Sequence, residues 1–181
     1  MTNSIHVALL RGINVGGKNK LPMKDLSAIF LAAGCMSAEP YIQSGNVVCK
    51  ARATLARKLP ALVAKAILER FGYRIPVVMR SAAELEDVAR SNPFLTAGAD
   101  ADALHVAFLA DVPTTDNVAR LDPRRSFPDE FAVRGRDIYL LLPNGVARTK
   151  LTNAYFDAKL SSVSTLRNWR TLLEIVGRTR G

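Results

Sequence analysis

An apolar run, His6-Val7-Ala8-Leu9-Leu10, feeds directly into Arg11-Gly12-Ile13-Asn14-Val15-Gly16-Gly17-Lys18-Asn19-Lys20. A buried strand that opens into a glycine-rich basic loop puts backbone N–H groups and cations at one sheet edge, the chemistry of an anion site. Arg11, Asn14, Gly16, Gly17, Lys18 and Lys20 are the candidate ligand-binding residues there. The spacing nearly spells a nucleotide-binding P-loop, with a glycine, four residues, then Gly17-Lys18, and Val106 to Asp111 resembles an apolar strand ending in the acid such loops use. Two features oppose that reading. Asn19 stands where a magnesium-ligating Ser or Thr belongs, and Pro22 interrupts the helix that must begin at the lysine. A looser glycine nest holding one phosphate or carboxylate, or a structural loop with glycines serving positive φ, both remain open.

Other polar groups sit where backbone donors are free. Gln43-Ser44-Gly45-Asn46 reads as a hairpin turn, whose residue types are ordinary turn formers but whose Gln43 amide, Ser44 hydroxyl and Asn46 amide can read a polar ligand. Thr149-Lys150-Leu151-Thr152-Asn153 and Thr165-Leu166-Arg167-Asn168-Trp169 read as helix starts, with Thr152 and Thr165 or Ser164 as caps. On that reading Arg167 falls in a first helical turn, where a cation opposes the macrodipole unless an anion is bound. Lys150, Asn153, Arg167 and Asn168 therefore join the candidates. One cleft is expected, with Arg11, Lys18 and Lys20 facing Ser44, Asn46, Lys150 and Arg167. His6 and His105 lack further ligands for a metal, and no Ser/His/Asp or Cys/His set stands out by spacing.

These residues must be positioned by a chain of 181 residues, enough for one domain or two small ones. Its charge is uneven. Residues 1–80 carry 12 Lys+Arg against 3 Asp+Glu, 81–143 carry 6 against 11, and 144–181 carry 7 against 2. The basic ends favour phosphorylated metabolites, nucleotides or nucleic acid. No stretch approaches the roughly 18 apolar residues of a membrane span, and the N-terminus lacks a signal-peptide pattern, so a cytoplasmic protein with Cys35 and Cys49 as reduced thiols is expected.

The chain repeats itself. Ile5-His6-Val7-Ala8-Leu9-Leu10 matches Leu104-His105-Val106-Ala107-Phe108-Leu109, with four of six positions identical. In the first half a helix with Leu26, Ile29, Phe30 and Ala33 on one face follows, then a hairpin, a longer helix from Leu55 to Ile67, and a strand from Tyr73 to Met79. That β-α-β-β-α-β order predicts an α+β fold of the ferredoxin-like type. In the second half a short helix near Asn117–Leu121, a hairpin through Gly135-Arg136 and helices at Asn153–Lys159 and Leu166–Val176 follow. No closing strand is visible there, so a modified copy ending in helices is expected. The predicted organisation is 1–80 as the first ferredoxin-like subdomain, 81–103 as a connecting helix and linker, and 104–181 as the second. Ser81-Ala82-Ala83-Glu84 is a capping box opening that connecting helix, and 96–103 is a loop.

Ala8–Lys18, Tyr41–Val48, Leu151–Phe156 and Thr165–Trp169 together resemble the bacterial DUF1697 family, a domain of unknown function. The resemblance runs almost end to end. It implies a two-part ferredoxin-like α+β architecture and no activity. Function must come from the residues. The first reading is a basic protein binding an anionic small molecule or nucleic acid, the second an enzyme acting on a phosphorylated or carboxylated small molecule, with Arg11, Lys18 and Lys20 as its anion clamp, and the third a structural or assembly role. RNA readers stack bases on exposed sheet aromatics in RNP motifs; no such motif stands in the sequence, and Tyr41 and Tyr139 are the only candidate aromatics.

Overall fold

The computed structural model describes residues 3–95 and 97–180. Thr96, where the expected loop begins, lies outside the described residues. Eight strands form two four-stranded antiparallel sheets, with seven α-helices among the described residues. The first sheet comprises β1 (Asn3–Leu10), β2 (Ser37–Tyr41), β3 (Asn46–Arg52) and β4 (Val77–Ser81), in the order β2-β3-β1-β4. The second comprises β5 (Leu104–Leu109), β6 (Glu130–Arg134), β7 (Asp137–Leu141) and β8 (Ser164–Asn168), in the order β6-β7-β5-β8.

The two orders are the same, and so are the registers. Val7 pairs with Val48 and Arg80 across its two neighbours, as Val106 pairs with Tyr139 and Arg167. Leu10 N–H donates to Gly45 O at 2.7 Å, and Leu109 N–H donates to Arg136 O at 2.8 Å. The matched sequence at Ile5 and Leu104 therefore occupies the matched strand of each sheet.

Helices cover one face of each sheet because their apolar residues recur at helical spacing. In the first half α1 (Met23–Ala32) buries Leu26, Ile29 and Phe30, and α3 (Leu59–Phe71) buries Leu59, Val63 and Ile67. A single-turn helix, α2 (Ala53–Ala56), precedes α3. These side chains form one core with Ala8, Leu10, Val47, Cys49 and Ala51 from the sheet. In the second half α5 (Thr115–Ala119) and α6 (Asn153–Leu160) play that part, and α6 contributes Tyr155, Phe156 and Leu160 to a core with Ala107, Leu109, Ile138 and Leu140. The predicted Thr152 cap forms, accepting from Tyr155 N–H at 3.2 Å.

Two expectations about the second half are corrected. It has a closing strand, β8, at Ser164–Asn168. The helix read as Leu166–Val176 is instead α7 (Trp169–Arg178), capped by Asn168, whose Oδ1 accepts from Thr171 N–H at 2.7 Å. Thr165 and Ser164 are strand residues and cap nothing. On α7, Trp169, Leu172, Ile175 and Val176 are buried, whereas Leu173 is 46% exposed.

The expected capping box is present at the start of α4 (Ala82–Arg90). Ser81 N–H donates to Glu84 Oε2 at 2.7 Å, and Glu84 N–H donates to Ser81 Oγ at 3.2 Å. The chain divides into two compact units. The first runs to Glu86 and takes in the chain from Ile175, and the second is Asp87–Glu174. The divisions thus fall inside α4 and α7, the helices that follow β4 and β8.

Candidate functional site

The loop after β1 is a built structure. Asn14 N–H donates to Asn19 O at 3.2 Å and Lys18 N–H to Val15 O at 3.0 Å, closing a miniature hairpin with a Val15–Lys18 bridge. Its tip is Gly16-Gly17, with φ 57° and 75°. Two consecutive left-handed residues make the tight turn that matches strand twist, so the glycine pair is required by backbone geometry. Asn14 and Asn19 flank it, also left-handed at φ 53° and 48°, a conformation Asn tolerates better than most residues.

Asparagine side chains fasten this hairpin to the rest of the first unit. Asn14 Oδ1 accepts from Leu21 N–H at 2.8 Å, and its Nδ2 donates to Leu21 O at 3.0 Å and to Gln43 O at 3.1 Å. Asn19 Nδ2 donates to Gly12 O at 2.8 Å. Ile13 is buried beneath, while Gly16, Gly17, Lys18 and Lys20 are exposed. The P-loop reading fails on geometry. Lys18 forms the bridge with Val15 that closes the miniature hairpin, and α1 begins at Met23 after Pro22 rather than at the lysine.

The turn between β2 and β3 closes against this loop. Gly45, at φ 79°, lies so close to β1 that an added Cβ would meet Leu10 Cβ and Leu10 O, each at 2.9 Å. Asn46 is fully buried, and its Nδ2 donates to Ser44 Oγ at 2.9 Å and to Tyr41 O at 3.4 Å. Ser44 and Asn46 therefore shape the turn from within. Ile42 is the strained residue, with φ 46° on a β-branched side chain that is 48% exposed. Sequence reasoning missed it, since no local signal marks an isoleucine for a left-handed conformation.

Loop and turn enclose a shallow pocket of about 350 Å³ lined by Asn14, Gly17, Lys20, Leu21, Pro22 and Gln43. Four expected site residues thus share one pocket. Lys18 projects from the same hairpin, and Arg11, half-buried, begins the loop with its N–H on Pro76 O at 3.1 Å.

The second unit's candidates serve separate local purposes. Lys150 is exposed, its N–H donating to Ser126 Oγ at 2.9 Å and its carbonyl accepting from Arg125 Nε at 3.0 Å. Asn153 opens α6, and its Oδ1 accepts from Ser164 Oγ at 3.1 Å. Asn168 caps α7. Arg167 is buried on β8, donating from Nη1 to Thr165 Oγ1 and Leu166 O, both at 2.8 Å, and burial pulls its pKa down to about 10. It lies in no helical turn, so the dipole conflict expected of it does not arise.

One hydroxyl–imidazole pair was invisible to motif spacing. Ser4 Oγ lies 2.9 Å from His6 Nε2, because residues two apart on a strand share a face. Burial holds His6 below the ordinary imidazole pKa, partly opposed by the Glu84 carboxylate. The matched His105, also lowered by burial, has Ala103 at the position of Ser4, so the imidazole holds its place without the hydroxyl. Tyr139 is buried, its hydroxyl donating to Val88 O at 3.3 Å, and Tyr41 lies under the Arg178 guanidinium at 4.2 Å. Among the described residues no group of three His, Cys, Asp or Glu could hold a metal ion, and no helix is long and apolar enough to cross a membrane.

Two four-stranded antiparallel sheets of one strand order, with helices packed on them, define a mixed α+β protein with an elaborated loop after β1. The chain belongs to the family described as "Protein of unknown function (DUF1697)", whose model matches residues 3–139. Among solved structures it is similar to the conserved bacterial protein SP0830 from Streptococcus pneumoniae, with a TM-score of 0.70 at 21% identity, covering 98% of this chain and 99% of that one. No curated protein matches it.

Proposed function

We propose that this chain is a binding protein for a small anion, a nucleotide or phosphorylated metabolite, seated at the hairpin loop Arg11–Lys20 and the Ile42–Gly45 turn. The carrying observation is that Asn14, Gly17, Lys20 and Gln43, drawn from two loops, line one pocket. The glycine turn lets a ligand approach the backbone closely, and Lys18 and Lys20 supply charge. Strain at Ile42 supports the reading, because strained residues cluster where a ligand is gripped.

Each unit is best read as ferredoxin-like, since the β-α-β-β-α-β order and sheet order fit that type. On that reading the duplication pairs 1–80 with 104–181. In the second unit, taken by itself, Lys150 is the exposed cation among the candidates Lys150, Asn153, Arg167 and Asn168. Nucleic acid is a further anionic partner on the same electrostatic grounds and predicts binding that weakens steeply with salt. Catalysis on the bound anion is the second reading, favoured by the Ser4–His6 contact. That contact lies at the opposite end of β1 from the loop, which ranks it below simple binding.

The test is an amide NMR titration of the full chain with inorganic pyrophosphate. Shifts at Gly16, Gly17, Lys20 and Gln43 that vanish in Lys18→Ala/Lys20→Ala are expected. Unmoved loop amides at saturating pyrophosphate contradict the proposal.

A further inference from the structure

A larger cavity, of about 450 Å³, opens at the other end of β1. Its wall comes from four elements. Asn3 starts β1, Met36 precedes β2, Arg52 ends β3, and Thr54 and Leu55 lie on α2 with Lys58 just beyond. Asn3 and Arg52 are register partners, which fixes the floor of this end. Gly34, at φ 105°, forms part of the rim.

The lining is chemically one-sided. It contains Arg52 and Lys58 and no carboxylate. Among the described residues, neither cation forms an ion pair with an acid. Lys50 shares the Arg52 face of β3, two residues along, and adds to the positive field. The nearest acid in register is Glu39, opposite Val48 on the edge strand. Gathering cations from separate elements with no acid between them costs free energy, which an anion offsets. The Thr54 hydroxyl is a further donor, and Asn3 already donates to Met36 Sδ at 2.7 Å. Leu55, packed on the core, and the exposed Met36 supply an apolar wall beside the cations.

A cavity with two cations, a hydroxyl donor and an apolar wall suits a ligand with a doubly charged head and a small apolar body. We infer that this pocket is a second binding site, for a phosphate monoester with an aromatic or short aliphatic group, the phosphate on Arg52, Lys58 and Thr54 and the apolar group on Leu55 and Met36. It stands apart from the loop site, with which it shares no residue.

Phenyl phosphate is the probe, titrated into the labelled full chain. Shifts are expected at the amides of Gly34, Thr54, Leu55 and Lys58 and at the Met36 methyl. Arg52→Ala/Lys58→Ala weakens binding roughly tenfold or more, Arg52→Lys/Lys58→Arg retains it, and Thr54→Val, which leaves both charges in place, weakens it less. Phenol, without the dianion, produces no shifts here. Lys20→Ala leaves the shifts at these cavity residues unchanged. The inference is overturned if these residues stay unmoved to roughly 10 mM probe, if the double Ala variant binds as wild type, or if the shifts disappear in Lys20→Ala, which would assign the ligand to the loop.

Discussion

The two halves use the same scaffold and finish one end of it differently. In the first, β1 reaches α1 through a hairpin loop from Arg11 to Pro22, and β2 reaches β3 through a four-residue turn containing the strained Ile42. In the second, β5 reaches α5 through residues 110–114, and β6 reaches β7 through Gly135-Arg136 alone. The sheets, registers and buried Arg80 and Arg167 correspond, so the topology does not require the longer connections. Among the described residues, three of the four left-handed non-glycine residues, Asn14, Asn19 and Ile42, lie where the first half departs from the second. An addition the fold does not need, yet one fastened by Asn14 and Asn19, is the best structural argument for function at that end.

The sharpest way to break this comparison is through the two hairpin glycines. Gly45→Ala places a Cβ 2.9 Å from backbone and side-chain atoms of Leu10 at positive φ, and urea denaturation should show a loss of about 2–4 kcal/mol. Gly135→Ala, at φ 59° with nothing within 4 Å, should cost only about 1 kcal/mol. Equal losses would mean that the first turn is no more tightly docked than the second.

Asn14→Ala removes the bonds to both Leu21 backbone groups and to Gln43 O. A loss of about 1–2 kcal/mol is expected by the same denaturation, with increased amide exchange confined to the loop. Acid sharpens a feature the halves share. Both histidines have lowered pKa values in the folded state, so below 6.5 the unfolded chain takes up protons that the folded chain resists. Stability should therefore hold above that pH and fall as the pH drops through it, and His6→Gln/His105→Gln should flatten the slope. The smallest effect is expected at Ile42. Ile42→Asn, better suited to a left-handed backbone, should raise stability by roughly 0.5–1 kcal/mol in thermal melts, where a loss would show that the exposed side chain matters more than its φ.

Much of this was legible because periodicity survives in sequence. The β1–β5 match, the capping box at Ser81 and the Thr152 cap are local patterns that the fold preserves. Strand β8 was not legible. Of its residues Ser164, Thr165, Leu166, Arg167 and Asn168 only Leu166 is apolar, and its spacing to Trp169 and Leu172 imitates a helix. The buried polar positions that disguise it are satisfied by side-chain partners, Asp157 on α6 for Ser164 at 2.7 Å and Thr165 on the same strand for Arg167. The loop residues were legible as a group, but Asn14's role depends on Gln43, 29 residues away, and such a contact leaves no local trace. The Arg52–Lys58 cavity escaped for the same reason, its wall being shared among elements distant in sequence.

The most direct test of function at the elaborated end is a graft. Replacing 11–22 by the second half's short connection, residues 110–114, leaves the strand order intact and removes the hairpin. Pyrophosphate binding by calorimetry should be lost while the second unit's amide spectrum stays unchanged. Undiminished binding by the folded graft would contradict the assignment of the anion site to this loop.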